Sequence, residues 1–329
     1  MKKKIIHLVN PNGLGHLKRA IFIWNNIFRE DLIVELVIDY SHEKSLTYFN
    51  LNPSILISKM NLDGMISLSN IKSDDFKSNY YNLHNKLISS DYLKDADLII
   101  SDNSVLDFSK INSKFMMIGS FLWLDILKGN DFFKDIYNNE LKMLNNNQPE
   151  IFGIKNFISG SLVNYSNLKK TGWYGINRKR EFNLSKKGIL FSGGLGNLTE
   201  DFFNDILLRI KDHKTDYQIY SSINYRFINN SLNFNFNEDW DKISFVIARP
   251  GIGTITDCIE NKVPIIAIGE KYNSEIVANA SQLAKFNIGF DCVSKPFNLD
   301  FLSKINNINF DKVDFSGLIH IKKRINEFF

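Results

Sequence analysis

Short apolar runs closed by glycine, asparagine or proline alternate with amphipathic stretches along this chain. The run Ile5-Ile6-His7-Leu8-Val9 ends at Asn10-Pro11-Asn12-Gly13, which predicts a strand followed by a turn. Leu17, Ala20, Ile21, Trp24, Ile27 and Phe28 then recur at helical spacing. Residues 32–38, 98–100 and 115–118 predict further strands, the second of them running into Ser101-Asp102-Asn103. After Gly172-Trp173-Tyr174-Gly175, a hinge in this reading, the pattern starts again. Residues 188–191 predict a strand that enters Ser192-Gly193-Gly194-Leu195-Gly196. Asn197 and Glu200 stand three apart, a capping arrangement that opens a helix over 199–210. Residues 217–220, 245–248, 265–268 and 289–292 add strands, and 318–329 reads as a helix carrying Lys322, Lys323 and Arg324. Such alternation predicts an α/β fold of two doubly wound, Rossmann-like halves, each with a glycine loop after its first strand.

The length of 329 residues suits two domains of about 150 residues each. Hydrophobic residues make up 44% of the chain and charged residues 23%, so disorder is not expected. The net charge of +4 is spread over scattered Lys and Arg, which argues against nucleic-acid binding. Cys258 and Cys292 fit neither a metal spacing nor a disulfide framework, so the expected compartment is the reducing cytoplasm. His7 and Asn10 interrupt the apolar run behind Lys2-Lys3-Lys4, which excludes a signal-peptide reading. No stretch approaches the ~20 apolar residues of a membrane span. Those lysines and the basic C-terminal helix offer a peripheral contact for anionic lipid at the inner membrane face, although such features are more often solvated faces.

Two glycine loops carry the candidate chemistry. In Ala248-Arg249-Pro250-Gly251-Ile252-Gly253-Thr254-Ile255-Thr256-Asp257, Gly251 and Gly253 let backbone approach a ligand, and Thr254 and Thr256 are expected to cap the next helix. A helix N-terminus suits a diphosphate, and Asp257, expected in the first turn, suits ribose hydroxyls or simply the helix dipole. In the first loop, Gly13 and Gly15 permit close backbone approach, and His16 opens the helix. An imidazole titrating near pH ~6.5 suits taking a proton from a hydroxyl or water. The competing reading is a packing histidine. Asp102 is placed to orient His16 or to cap a turn, and Arg19 to meet a phosphate or acceptor anion or to lie solvated. Gly193, Gly194 and Gly196 offer N–H groups to donor phosphates, or a tight turn alone. No metal motif precedes a suitable loop, because Asp95-Ala96-Asp97 lies before its strand, so no metal or other cofactor is expected.

The residues Gly13-Leu14-Gly15-His16-Leu17-Lys18-Arg19, Arg249 to Asp257 and Glu275-Ile276-Val277-Ala278-Asn279-Ala280 resemble GT-B glycosyltransferases. The pattern is similar to the lipid II N-acetylglucosaminyltransferase, and the Gly-x-Gly-His-x-x-Arg form also to the nucleotide-sugar hydrolase of pseudaminic acid synthesis. The resemblance implies two Rossmann-like domains facing across a cleft: 1–172 on the acceptor side, 173–314 for the nucleotide sugar, and a helix over 315–329 packing back on the first. It implies His16 at the reacting groups, Arg249 at the loop or the diphosphate, Asp257 at ribose, and Glu275 and Asn279 at the donor sugar. Ile276 stands where glutamine is common, which implies an unusual sugar.

The function expected is an inverting, metal-independent transfer of sugar from a nucleotide donor to a glycan, glycolipid or protein-linked hydroxyl in bacterial surface glycan or glycoconjugate synthesis. Residues 63–82 and 121–133, rich in apolar and aromatic side chains, are candidates for an acceptor groove. Hydrolysis of a nucleotide sugar, a GT-B sugar epimerase and a noncatalytic nucleotide-sugar-binding partner subunit stand as alternatives.

Overall fold

A computed structural model describes residues 2–27, 29–66, 74–89, 91–107, 113–127, 131–179, 187–192, 205–210, 217–222, 231–298 and 300–329. The chain forms two compact units, Met1–Tyr174 with Phe315–Phe329, and Gly175–Asp314.

The first unit is built on β1 (Lys3–Leu8), α1 (Leu14–Asn26), β2 (Leu32–Asp39), β3 (Ile55–Met60), α2 (Phe76–Ser89), β4 (Leu98–Asp102), β5 (Lys114–Ile118), α3 (Lys134–Asn147), β6 (Glu150–Ile154) and β7 (Leu168–Thr171). Its seven strands are parallel in the order β3-β2-β1-β4-β5-β6-β7. Central strands of a parallel sheet are covered on both faces and so read as unbroken apolar runs. Every residue of β4 is buried, whereas the edge strands β3 and β7 expose part of their length. Leu17, Ala20, Ile21, Ile23 and Trp24 form the buried stripe of α1. That helix starts three residues before its first buried position, because Gly13, at φ 77, turns the chain sharply out of the loop. The segments around Ile66, Phe76, Tyr80, Phe121, Trp123 and Phe133 pack into one largely aromatic cluster.

The second unit contains β8 (Gly188–Ser192), β9 (Gln218–Ser221), β10 (Leu232–Asn233), β11 (Ile243–Ala248), α4 (Ile252–Glu260), β12 (Ile265–Ala267), α5 (Ser274–Lys285) and β13 (Gly289–Asp291). Its six parallel strands run β10-β9-β8-β11-β12-β13 over a core that includes Ile189, Phe191, Phe245, Ile247 and Ile266. Residues 205–210 are helical; the start of the helix expected over 199–210, with its Asn197 and Glu200 cap, lies outside the described residues.

The last helix, α6 (Gly317–Phe328), belongs to the first unit and buries Ile321 and Ile325. Arg324 donates to Glu150, Lys114 Nζ to the Phe328 carbonyl at 2.6 Å, and Arg29 to Asn326 at 2.9 Å. Among the described residues no helix is long and apolar enough to cross a membrane.

The start of α4 corrects two expectations. Gly251, extended at φ −70 and ψ 149, is its N-cap, so the helix begins at Ile252, two residues before Thr254. Thr254 and Thr256 therefore lie inside the helix and do not cap it; Thr256 Oγ1 donates back to the Ile252 carbonyl at 2.7 Å. Asp257 falls in the second turn, and the first turn carries no acid.

Candidate active site

In an open α/β sheet ligands gather at the carboxyl ends of the strands, where the strand order reverses. In the first unit that reversal lies between β1 and β4, which pair directly. The loops leaving both strands are tied by Asn10, whose Nδ2 donates to Ser104 Oγ at 2.8 Å and to the Ile66 carbonyl at 3.3 Å. Asn10 Oδ1 accepts from the Asn12 N–H at 2.8 Å, so one buried amide shapes the whole turn.

His16 stands in the first turn of α1 and Asp102 is the last residue of β4. Their side chains meet, His16 Nδ1 to Asp102 Oδ1 at 2.9 Å. A carboxylate only accepts, so Nδ1 carries the proton and Nε2 keeps its lone pair. Arg19, one turn further along α1, donates through Nη2 to the same carboxylate oxygen. Asp102 is wholly buried. Burial opposes its charge, but the Arg19 guanidinium and then His16 outweigh that and hold its carboxyl well below the usual range. Arg19 is thus committed to Asp102, with its guanidinium 5.9 Å from the Tyr174 ring centre. Burial pushes the Tyr174 phenol up to about 12.

Two buried histidines join this cluster. Trp24 Nε1 donates to His7 Nδ1 at 2.9 Å, which fixes the proton of the neutral imidazole on Nε2. That Nε2 lies 4.0 Å from Asp102 Oδ2. Burial lowers the His7 pKa to about 4, against the pull of Asp102. His42 is buried as well, and its pKa is lowered first by burial and then by His16. In the sequence His7 and Asn10 show only as the polar interruptions of an apolar run.

In the second unit the strand order reverses between β8 and β11. The Arg249 N–H donates to the Ser192 carbonyl at 3.2 Å, so the loops that follow these strands start side by side. Gly193, Gly194 and Gly196, which follow β8, lie outside the described residues. Among the described residues nothing lies within 4 Å of where a Gly251 Cβ would stand, and α4 has neither a side-chain cap nor an acid in its first turn. Gly253 is its second residue. Likewise, in the first unit, Gly13 is the N-cap of α1, Gly15 its second residue, and no side chain caps it. Arg249 Nε donates to Glu270 at 3.0 Å, while its buried Nη2 has no partner among the described residues. Asn279 is buried, with Nδ2 on the Pro250 carbonyl at 2.9 Å and 3.5 Å from Glu275 Oε1. Asn279 therefore supports the loop 249–253 directly, and Glu275, also buried, stands behind it.

Among the described residues no group of three His, Cys, Asp or Glu is arranged to hold a metal ion. No family model matches the chain, and no curated protein matches it in sequence. Solved structures match it over its whole length. The glycotransferase of kitacinnamycin superposes with a TM-score of 0.66 at 12% identity, over 100% of this chain and 96% of that one. Arabidopsis thaliana UGT89C1, complexed with UDP-L-rhamnose, gives 0.63 at 10% identity, over 99% and 94%. CalG4, the calicheamicin glycosyltransferase, gives 0.61 at 11% identity, over 100% and 98%. The chain has the GT-B fold. Within that GT-B framework the His16 cluster and the loop 249–257 each sit where a sheet reverses its strand order.

Proposed function

We propose that the chain is a glycosyltransferase that moves a sugar, with inversion, from a nucleotide donor to a hydroxyl acceptor. The observation that carries this reading is the 2.9 Å contact from His16 Nδ1 to Asp102, which leaves Nε2 free to take a proton. His16 Nε2 removes the acceptor's hydroxyl proton as the oxygen attacks the anomeric carbon. The bond from that carbon to the diphosphate breaks, and the nucleotide diphosphate leaves with the electron pair. Asp102 stabilises the imidazolium that forms, and Arg19 keeps Asp102 ionised. In the second unit the uncapped N-terminus of α4 and Arg249 receive the diphosphate, so no metal is required for its charge. Asp257 is assigned to the ribose, and the acceptor to a bacterial surface glycan or glycoconjugate. The fold supports the reading, since the similar structures are of sugar transferases and one is complexed with a UDP-sugar.

The test is mass-spectrometric product analysis with a panel of nucleotide sugars, with and without a pooled bacterial acceptor extract. A new glycosylated mass formed only with extract is the expected result. Free sugar and nucleotide without extract would make water the acceptor and the protein a hydrolase. Nucleotide binding with no turnover in either case would mark a noncatalytic subunit.

A further inference from the structure

A small cavity in the first unit is lined by Tyr80, His84, Asn103, Ser104, Trp123 and Glu140 together with apolar side chains, and has room for about one water-sized group. Trp123 links it to the site already described, since its ring lies 6.4 Å from that of His16. His16 itself does not line it.

Polar and apolar side chains share the walls of the cavity. Asn103 and Trp123 are only 2% and 3% exposed. Yet Asn103 Oδ1, Asn103 Nδ2 and Trp123 Nε1 have no hydrogen-bond partner among the described residues. Buried polar groups are normally satisfied, and three unpartnered atoms on two residues that line one cavity call for an occupant. Asn103 is also held at φ 57, a left-handed conformation that costs energy and concentrates at functional sites. Gly119 makes room for its amide, because a Cβ there would strike Asn103 Oδ1. The charge state is equally specific. Burial drives the Glu140 carboxyl well above its ordinary pKa, and its Oε1 lies 3.5 Å from the Tyr80 hydroxyl. Burial lowers His84 to about 4. His84 is therefore neutral near pH 7, and burial favours the protonated form of Glu140.

We propose that this cavity is a subsite that anchors a neutral hydroxyl of the acceptor, distinct from the hydroxyl that reacts at His16. It rests on the transferase reading and deepens it: an acceptor that fills both places is a polyol. Two donors, Trp123 Nε1 and Asn103 Nδ2, and one acceptor, Asn103 Oδ1, suit a single oxygen that both accepts and donates. A carboxylate has no proton to donate to Asn103 Oδ1, and an ammonium has no lone pair for the two N–H donors. Water shares the hydroxyl's chemistry and is the competing source.

The test follows the indole N–H signals of 15N-tryptophan protein by NMR, with Trp123→Phe assigning one of the four tryptophans. Glycerol, as a neutral triol probe, is expected to shift the Trp123 signal saturably, and acetate to leave it in place. Asn103→Gly tolerates the left-handed backbone, removes both amide atoms and should weaken glycerol binding by about five- to tenfold. No shift with glycerol, an equal shift with acetate, or a slowly exchanging water at Trp123 that glycerol does not displace would each overturn the proposal. No nucleotide sugar enters this titration, so a negative transfer assay does not decide it. Should Asn103→Gly fail to fold, Trp123→Phe is read by acceptor kinetics. A rise of about fivefold in acceptor KM with donor KM unchanged supports the subsite, and an unchanged acceptor KM overturns it while the transferase stands.

Discussion

His7 Nε2 faces Asp102 Oδ2 across 4.0 Å, and neither atom has another partner among the described residues. The second carboxylate oxygen thus lies within electrostatic reach of an N–H whose tautomer Trp24 dictates, beyond hydrogen-bond distance. His7→Phe removes that N–H and should lower kcat by less than about tenfold, because an electrostatic contact at 4.0 Å is weaker than a hydrogen bond. The KM for nucleotide sugar should stay within about twofold, and the acidic limb of the pH–rate profile should move. Trp24→Phe should act in the same direction more weakly. Steady-state kinetics across pH checks both, and an unmoved profile would reduce His7 to packing.

His16→Ala should lower kcat by about 10²–10⁴, the usual worth of a positioned base. The affinity for nucleoside diphosphate, measured by calorimetry, should be unchanged, because the diphosphate is assigned to the other unit. Retained turnover would remove His16 as the base.

Asp102→Asn leaves the Arg19 guanidinium buried without its counter-charge. Breaking a buried pair from one side costs about 3–5 kcal/mol, which urea denaturation at pH 7 would read directly. Because the folded carboxyl titrates below its unfolded value of about 3.9, its contribution is present above that pH and is lost as the pH falls below it. Acid unfolding of the wild type should therefore be steeper below about pH 4 than that of the variant.

Glu140 has the opposite sign. Its folded pKa is raised well above the ordinary value, mainly by burial. Its contribution is present below the unfolded pKa of about 4.3 and is lost as the pH rises from there through the folded value. Glu140→Gln copies the protonated acid in shape. It should raise thermal stability at pH 7 relative to the wild type and flatten the decline above about pH 4.3. A parallel shift of the two curves would refute the assignment.

Asn279→Ala frees the Pro250 carbonyl from its side-chain donor. The expected cost is about 1–3 kcal/mol of stability, with a several-fold loss of nucleoside diphosphate affinity as the loop 249–253 loosens. Normal affinity in a destabilised variant would separate the loop's support from its binding role.

The elements that surround the site were the legible ones. β1, β4, β8 and β11 are largely buried on both faces, so their apolar runs stand out, and glycine marks the turns after β1 and β11. The edge strands β3 and β7 were missed because exposure mixes Lys59, Lys169 and Lys170 into their sequences, and Gly153 breaks the short run of β6. The pairing of His16 with Asp102 joins residues 86 positions apart and was suggested by their places at a helix start and a strand end. The commitment of Arg19 to Asp102 depends on the reach of one side chain across two elements, which spacing does not encode. The capping expectation at Thr254 failed because Gly251 already serves as the cap, without a side chain to announce it.

The return of α6 to the first unit has a consequence for biogenesis. Translation delivers the whole of 175–314 before it delivers the helix that completes the unit begun at the N-terminus. The later-coded unit is thus the first whose segment is fully made, and vectorial synthesis gives it the first opportunity to finish folding. Until the last turns of α6 leave the ribosome, the nascent N-terminal unit lacks the Ile321 and Ile325 side chains that belong in its interior. A chain cut before Ile321 would therefore injure the first unit, although all the strands of that unit are made before the second.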